Sequence, residues 1–202
     1  MLKKIERAQQ LLKKEAAVFR CPTCHEPMHV EGVGLICQQR HQFDLSKKGT
    51  LYFLNHGVQT EYNKKMFTSR GKMIQSGMYA PVLNKIMHYL PQNKTVVDVG
   101  CGEGSFLAEL SQAGLSGLKI GFDLSKEGIY LASNQPIDAF WCVADLTNLP
   151  FADQGLDTIL NIFSPSHYQE FRRVLKADGT VIKIIPEENY LKELRAAFYP
   201  ND

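Results

Sequence analysis

A chain of 202 residues with 44% hydrophobic and 22% charged side chains has room for one medium domain and a small one, and its balance excludes a disordered or collagen-like polymer. No window approaches the ~18 to 20 uninterrupted apolar residues of a membrane span, and the start, Met1 to Arg7, has no apolar signal-peptide core, so a cytoplasmic protein without a membrane partner is expected. The net charge of +2 hides a division, because residues 1–72 carry 13 Lys/Arg against 6 Asp/Glu and residues 73–202 carry 10 against 15; a basic first segment suits a polyanionic partner, with a solvated basic face as the plainer reading.

Residues 1–20 place Leu2, Ile5, Ala8, Leu11, Leu12 and Ala16 at three- and four-residue intervals with Lys or Arg between them. This spacing predicts an amphipathic helix whose apolar stripe packs on the rest of the chain. Next, Cys21-Pro-Thr-Cys24 is followed after twelve residues by Cys37-Gln-Gln-Arg-His41. Two close pairs of soft and borderline donors are what a tetrahedral Zn²⁺ site requires, and four protein ligands make that one zinc structural. Cys21 to His25 also fits covalent haem attachment, but that reading leaves Cys37 and His41 unexplained and normally needs export. Gly32 and Gly34 allow a hairpin between the pairs. Gln42 to Leu45 and Leu51 to Leu54 are predicted to complete a small ribbon, joined by the turn Lys47-Lys48-Gly49.

A polar connection with Lys64, Lys65, Arg70 and Lys72 follows, helical from about Lys64 to Gln75 and holding the domain boundary. Pro81 to Leu90 predicts a helix entered through proline. The β-branched run Val96-Val97-Asp98-Val99 then opens into Gly100-Cys101-Gly102-Glu103-Gly104, a strand leading to a ligand-binding turn, before helical spacing resumes through Phe106, Leu107 and Leu110. The dinucleotide pattern would need a glycine where Ser105 stands, so the Gly-x-Gly-x-Gly spacing behind Asp98 favours S-adenosylmethionine over a nicotinamide cofactor. A plain strand–helix turn is the bland alternative.

Four further strands are predicted: Leu118 to Phe122, ending in Asp123; Phe140 to Ala144, followed by Asp145; Asp157 to Phe163, leaving through Asn161 to Pro165; and Thr180 to Ile185. Strands alternating with helical patterns imply an α/β, Rossmann-like parallel sheet with ligands at the strands' carboxyl ends. There Asp123 suits ribose hydroxyls, Asp145 the adenine amino group, Ala144 the space for the ring, and Asn161 the neighbourhood of the transferred methyl. Cys101 and Cys142 are read as small buried apolar side chains.

Together these motifs resemble the RlmA-type 23S rRNA (guanine-N1)-methyltransferases, in which a zinc ribbon precedes a class I methyltransferase domain. The resemblance rests on Cys-Pro-x-Cys-His at 21–25, Ile-Cys-x-Gln-Arg-His-Gln-Phe-Asp at 36–44, Asp-x-Gly-Cys-Gly-Glu-Gly at 98–104, Gly-x-Asp-x-Ser at 121–125, Leu-Pro-Phe at 149–151 and Arg-Val-Leu-Lys-x-x-Gly at 173–179. It implies zinc on Cys21, Cys24, Cys37 and His41, S-adenosylmethionine contacts from Gly102 and Glu103, and Tyr79 over the cofactor pocket. Tyr190 stands where some members have a histidine. The implied partner is large-subunit rRNA, and a homodimer is left open. The implied division is a helix at 1–20, a ribbon at 21–56, a basic linker at 57–80 and a methyltransferase domain at 81–202. A class I sheet ordinarily ends in a sixth strand and an antiparallel seventh, so a C-terminally shortened sheet is expected. No motif identifies the acceptor of the guanine N1 proton.

Overall fold

The structure is a computed structural model describing residues 2–55, 57–58 and 62–198. Residue 1 of the expected helix, residue 56 of the expected ribbon, residues 59–61 of the expected linker and the last four residues of the expected methyltransferase domain lie outside the described residues.

Helix α1 (Lys4–Glu15) continues into a 3-10 turn at Ala16–Val18, and its stripe buries Ala8 and Leu12. The three antiparallel strands β1 (Met28–Glu31), β2 (Gly34–Cys37) and β3 (Gln42–Asp44) form the ribbon in that order. Gly32, at φ 58°, makes the turn that sets Met28 opposite Cys37. The second half of the expected ribbon behaves differently. Strand β4 (Thr50–Tyr52) leaves it and pairs in parallel with β7 (Phe140–Val143), Leu51 opposite Cys142. Leu51 and Phe53 are buried there, and periodicity could not say which of two sheets would receive them.

The remaining elements are α2 (Lys64–Gln75), α3 (Ala80–Tyr89), β5 (Val96–Val99), α4 (Ser105–Gln112), β6 (Lys119–Asp123), α5 (Lys126–Ala132), β8 (Leu156–Ile162), α6 (Tyr168–Val174), β9 (Leu175–Ile184) and α7 (Lys192–Phe198). The second sheet has six strands in the order β4-β7-β6-β5-β8-β9, every pair parallel. The last strand begins five residues earlier than the sequence suggests, because Leu175 already pairs with Leu156 before a register shift brings Thr180 opposite Thr158. Among the described residues no helix is long and apolar enough to cross a membrane.

The alternation along the strands divides the core. Val97, Val99, Ile120, Phe122, Phe140 and Cys142 face the side occupied by α1 and the ribbon, and share one cluster with Leu12, Phe19, Leu35 and Phe43. Val96, Trp141, Val143 and Leu160 face α2, α3 and α4 on the other side. The ribbon is therefore a layer of the α/β core. Phe19 stands edge-on to Phe140 at 5.1 Å and pairs as an isolated bridge with Phe151.

A charge network closes this seam. Arg173 donates to both oxygens of Glu170, to the carbonyls of Leu149 and Phe151 and to Asp153, at 2.6 to 2.9 Å. Arg20, from the ribbon side, reaches the same Asp153 oxygen at 3.0 Å. Burial alone would raise the Glu170 carboxyl, but Arg173 and the Leu149 N–H hold it below its usual range. Arg173→Met strands that carboxylate and is expected to cost about 3–5 kcal/mol in urea denaturation. Adding Glu170→Gln should restore part of the loss.

Candidate active site and metal centre

The ribbon brings Cys21, Cys24, Cys37 and His41 together, their ligand atoms all within 4.8 Å of one another. Cys21 Sγ lies 3.5 Å and Cys37 Sγ 3.4 Å from His41 Nδ1, and Cys24 Sγ lies 3.5 Å from Cys37 Sγ. A tetrahedral Zn²⁺, with Zn–S ~2.3 Å and Zn–N ~2.0 Å, spaces its donors about 3.5–3.8 Å apart, which these three spacings match closely, so the donor set suits the ion. Burial opposes ionisation of Cys37, yet the His41 backbone N–H and the neighbouring side chains lower its thiol to about 7, the direction a thiolate ligand needs. Cys101 and Cys142 are wholly buried elsewhere, and burial pushes both thiols up.

The second site lies at the carboxyl ends of β5, β6, β7 and β8. A cavity of about 420 Å³ opens there, its floor made by Val99, Gly100, Phe122, Asp123, Ala144 and Asp145. Ser164 and Pro165 close one side, and Tyr62, Met66, Phe67 and Arg70 of α2 and its approach lie over it. The glycine loop turns sharply beneath this lid, with Gly102 at φ 57° and Gly104 at φ 79°, where other residues are strained. A Cβ on Gly102 would also run into the Arg70 guanidinium, and one on Gly104 would meet the Trp141 ring at 2.6 Å.

Asp123 holds the loop as well as facing the cavity. Its Oδ2 accepts the Gly102 N–H at 2.8 Å and its Oδ1 accepts the Ser125 N–H at 2.8 Å. Each carboxylate oxygen keeps a second lone pair, which leaves capacity for ribose hydroxyls. Asp145 accepts the Thr147 N–H and hydroxyl through Oδ1, both at 2.8 Å. Below the loop, Asp98 is 2% and Glu103 5% exposed. Asp98 Oδ2 and Glu103 Oε1 are buried without a hydrogen-bond partner. Burial, reinforced by Glu103 and Asp123 and opposed by Arg70, pushes the Asp98 carboxyl up to about 7.

The other sequence-predicted positions fall apart from this floor. Tyr79 and Tyr190 join their hydroxyls at 2.6 Å and line a neighbouring cavity of about 230 Å³, which shares Arg70 and Phe163 with the larger one. Burial, with Tyr190 adding to it, raises the Tyr79 phenol well above its ordinary value. Asn161 lines neither cavity: its Nδ2 donates to the Ser164 hydroxyl at 2.6 Å and the Pro165 carbonyl at 2.8 Å, while its Oδ1 accepts from Ser166 at 2.6 Å. It shapes the turn that places Ser164. The lid residues Tyr62, Met66, Phe67 and Arg70 are ones the sequence reading did not assign to the site. The buried stripe Phe67, Gly71, Ile74 marks an inward helix face, and that periodicity was the available signal.

An apolar cavity at the sheet's switch region, with two unpartnered carboxylate oxygens and a close-packed glycine loop beside it, fits a small cationic nucleoside such as S-adenosylmethionine. Comparison with known proteins agrees. Residues 96–179 match the methyltransferase-domain family and residues 19–55 the family described as RlmA, N-terminal. The chain is 42% identical over 195 residues to the Bacillus subtilis protein named "Putative 23S rRNA (guanine-N(1)-)-methyltransferase YxjB", covering 91% of this chain and 69% of that one. It is 28% identical to the 23S rRNA (guanine(748)-N(1))-methyltransferase of Streptomyces fradiae, covering 90% and 68%. Among solved structures, a "putative s-adenosyl-l-methionine-dependent methyltransferase" from Methanococcus maripaludis shares the fold with a TM-score of 0.57 at 18% identity, covering 72% and 76%.

Proposed function

Because the chain belongs to the RlmA-like family of 23S rRNA guanine-N1 methyltransferases, we infer that it transfers the methyl group of S-adenosylmethionine to N1 of a guanine in large-subunit rRNA. The observation that carries this reading is the ribbon of that family packed as a layer onto the sheet whose strands hold the cofactor-sized cavity at their carboxyl ends. An rRNA substrate places the work in the cytoplasm.

When bound, S-adenosylmethionine supplies an electrophilic methyl on a positively charged sulfur. The protein's share is placement and charge. Asp123 would hold the ribose hydroxyls, and Ala144 and Asp145 would bound the adenine side, while Gly100, Gly102 and Gly104 would let the backbone come close. Asp98 and Glu103, buried under the glycine loop, would supply negative charge near the cofactor's positive groups, and Tyr79 and Tyr190 line the adjoining cavity. Ser164 is no base for the N1 proton: a neutral hydroxyl is scarcely basic, and its oxygen already accepts from Asn161 Nδ2 at 2.6 Å while its hydrogen is donated to the Val99 carbonyl at 2.5 Å. The chemistry is in-line displacement, in which proximity and orientation contribute most. The Cys21, Cys24, Cys37 and His41 site fills all four positions of its metal and serves the fold.

The test is methyl transfer from labelled S-adenosylmethionine to unmodified 23S rRNA. Methylation at N1 blocks the pairing edge of guanine, so reverse transcription should stop next to a single nucleotide. Label on protein with none on RNA would point to a protein substrate instead. Cofactor binding with no transfer to any acceptor would make the chain a binding protein.

A further inference from the structure

Helix α1 carries a row of cations along one flank of its buried stripe. Lys4, Arg7, Leu11 and Lys14 stand three or four residues apart, so they share one side of the helix. The turn before β4 comes close to that side. A Cβ on Gly49, at φ 76°, would lie 2.9 Å from the Ala8 Cβ and from the Lys4 carbonyl oxygen, and this close approach sets Lys48 beside the helix. With Asp138 and Trp141 these residues line a cavity of about 310 Å³ that shares no residue with the cofactor cavity. It lies by the amino ends of β4 and β7, whereas the cofactor cavity lies at the strands' carboxyl ends.

Four cations line this cavity against one carboxylate. Among the described residues its one ion pair joins Arg7 Nη1 to Asp138 at 3.7 Å, and Arg7 Nε is buried without a hydrogen-bond partner. Lys4 donates to the Ser133 carbonyl at 2.6 Å and to Asn134 Oδ1 at 2.7 Å, both neutral acceptors. Burial, with Lys48 and Arg7 adding to it, pulls the Lys4 ammonium below its ordinary range. A concave place lined by one sign of charge concentrates its field and draws an anion of the other sign.

A strip of paired cations and rings leads from the cavity towards the cofactor's rim. Lys48 Nζ lies 5.2 Å from the centre of the Tyr130 ring, and Lys126 Nζ lies 5.8 Å from that of Tyr52. Lys126 and Tyr130 are one turn apart on α5, while Lys48 and Tyr52 bracket β4, the outermost strand of the sheet. Four residues of strand span about 13 Å, and Tyr52 closes β4 at its carboxyl end. Tyr130 is 46% and Tyr52 36% exposed.

We propose that the cavity between α1 and the turn before β4 holds a backbone phosphate of the rRNA substrate, and that the β4–α5 strip carries the strand on towards the cofactor's rim. This gives the substrate a grip remote from the reacting base, and it rests on the methyltransferase reading for the identity of the partner. A phosphodiester suits the cavity because the Arg7 fork can meet two of its oxygens at once. Cations alternating with exposed rings suit a nucleotide strand, since bases stack on the rings while the lysines turn to phosphates. A free anion would use the cavity alone and leave the strip without a role.

Lys14→Gln with Lys48→Gln removes two exposed charges that have no carboxylate partner among the described residues, and melting curves check that the fold persists. In titrations of the zinc-loaded full chain with unmodified 23S rRNA, this double variant should bind about 10-fold more weakly at physiological salt, with a salt slope lower by about 1.5. The KM for rRNA should rise by the same factor, while affinity for S-adenosylhomocysteine stays within about twofold. Tyr130→Ala should weaken rRNA binding about fivefold or more at an unchanged salt slope, because a ring contributes stacking and no charge. Unchanged rRNA affinity in the double variant would overturn the proposal. An equal loss in Lys85→Gln with Lys192→Gln, which removes the same charge elsewhere, would also overturn it by making the effect one of net charge. Pyrophosphate that binds the wild-type chain but not the double variant, with rRNA affinity unchanged, would make the cavity a seat for a free phosphoryl anion and overturn the assignment to a strand. A wild-type chain that binds 23S rRNA with this pattern of variant losses but transfers no methyl group would sustain the proposal and bring down the methyltransferase reading, whereas one with no affinity for the rRNA would overturn both.

Discussion

Stripping zinc is expected to unfold the whole chain, not the ribbon alone. A structural zinc contributes about 10–16 kcal/mol of folding energy in small ribbons and fingers, whereas a domain's entire stability is about 5–15 kcal/mol. That comparison would concern the ribbon only if it stood apart. Here Phe19, Leu35 and Phe43 belong to one buried cluster with Val97, Phe122 and Phe140 of the large sheet. Ribbon and sheet are also tied through polar groups, since the Asn148 side chain donates to the Pro22 carbonyl at 2.8 Å and Arg20 pairs with Asp153. Strand β4, the sheet's outermost member beside β7, follows directly on the ribbon's last turn. Removing the metal therefore exposes one apolar face of the parallel sheet. Cys37→Ser, or a strong chelator, should abolish the cooperative melting transition or lower it by more than about 10 °C, consistent with a loss above ~5 kcal/mol at ~2–4 °C per kcal/mol for a chain of this size. Far-UV dichroism and S-adenosylhomocysteine binding should disappear together with the ribbon signals. A chelated chain that kept its helical spectrum and its cofactor affinity, while only residues 21–44 lost amide protection, would show that the shared cluster contributes little.

Local signals carried the reading wherever one element explained its own residues. The four zinc ligands were legible because two C-x-x-C-like spacings determine a tetrahedron almost by themselves. The glycine loop was legible because Gly102 and Gly104 occupy positive φ, which few other residues tolerate. Boundaries of α2 and α3 came out close to their observed ends because Asn63 caps one and a proline opens the other. What the sequence withheld was partnership across distance. Leu51 has the pattern of a strand, but nothing in its neighbours distinguishes the ribbon edge from the exposed edge of β7. Arg70 has three basic neighbours within the run 64–72 and reads as one more surface charge, although it is the inward one. Asn161 stands at the exit of a strand where cofactor contacts are common, yet its donors and acceptor are used within five residues of itself. In each case the deciding fact is which side of an element faces the core, and that depends on residues far along the chain.

Asp98 should show the opposite trade, with function present at the expense of stability. It is 2% exposed, with an oxygen lacking a hydrogen-bond partner, and burial raises its carboxyl to about 7 from an ordinary 3.8. A carboxyl whose pKa is higher in the folded chain binds its proton more tightly there. Folding stability is therefore greatest below the unfolded value and falls as pH rises through the folded one. Above pH 7 the ionised group costs on the order of 4 kcal/mol, taking about 1.4 kcal/mol for each of roughly three units. Asp98→Asn removes that charge while keeping the shape. The variant should be more stable than wild type, by an advantage that grows by about 2 kcal/mol between pH 5.5 and pH 8 and levels off above. Its affinity for S-adenosylhomocysteine should fall about 100-fold, because the ammonium loses an ionised partner. Wild-type affinity should rise up to tenfold per unit from pH 5.5 to about 7 and then flatten, whereas the variant should show no such rise through Asp98. Melting curves and calorimetric titrations across that range measure both halves. A variant that is less stable at pH 8, or one that binds with wild-type affinity and the wild-type pH profile, would remove Asp98 from the cofactor's charge balance and leave its burial to be explained by packing alone.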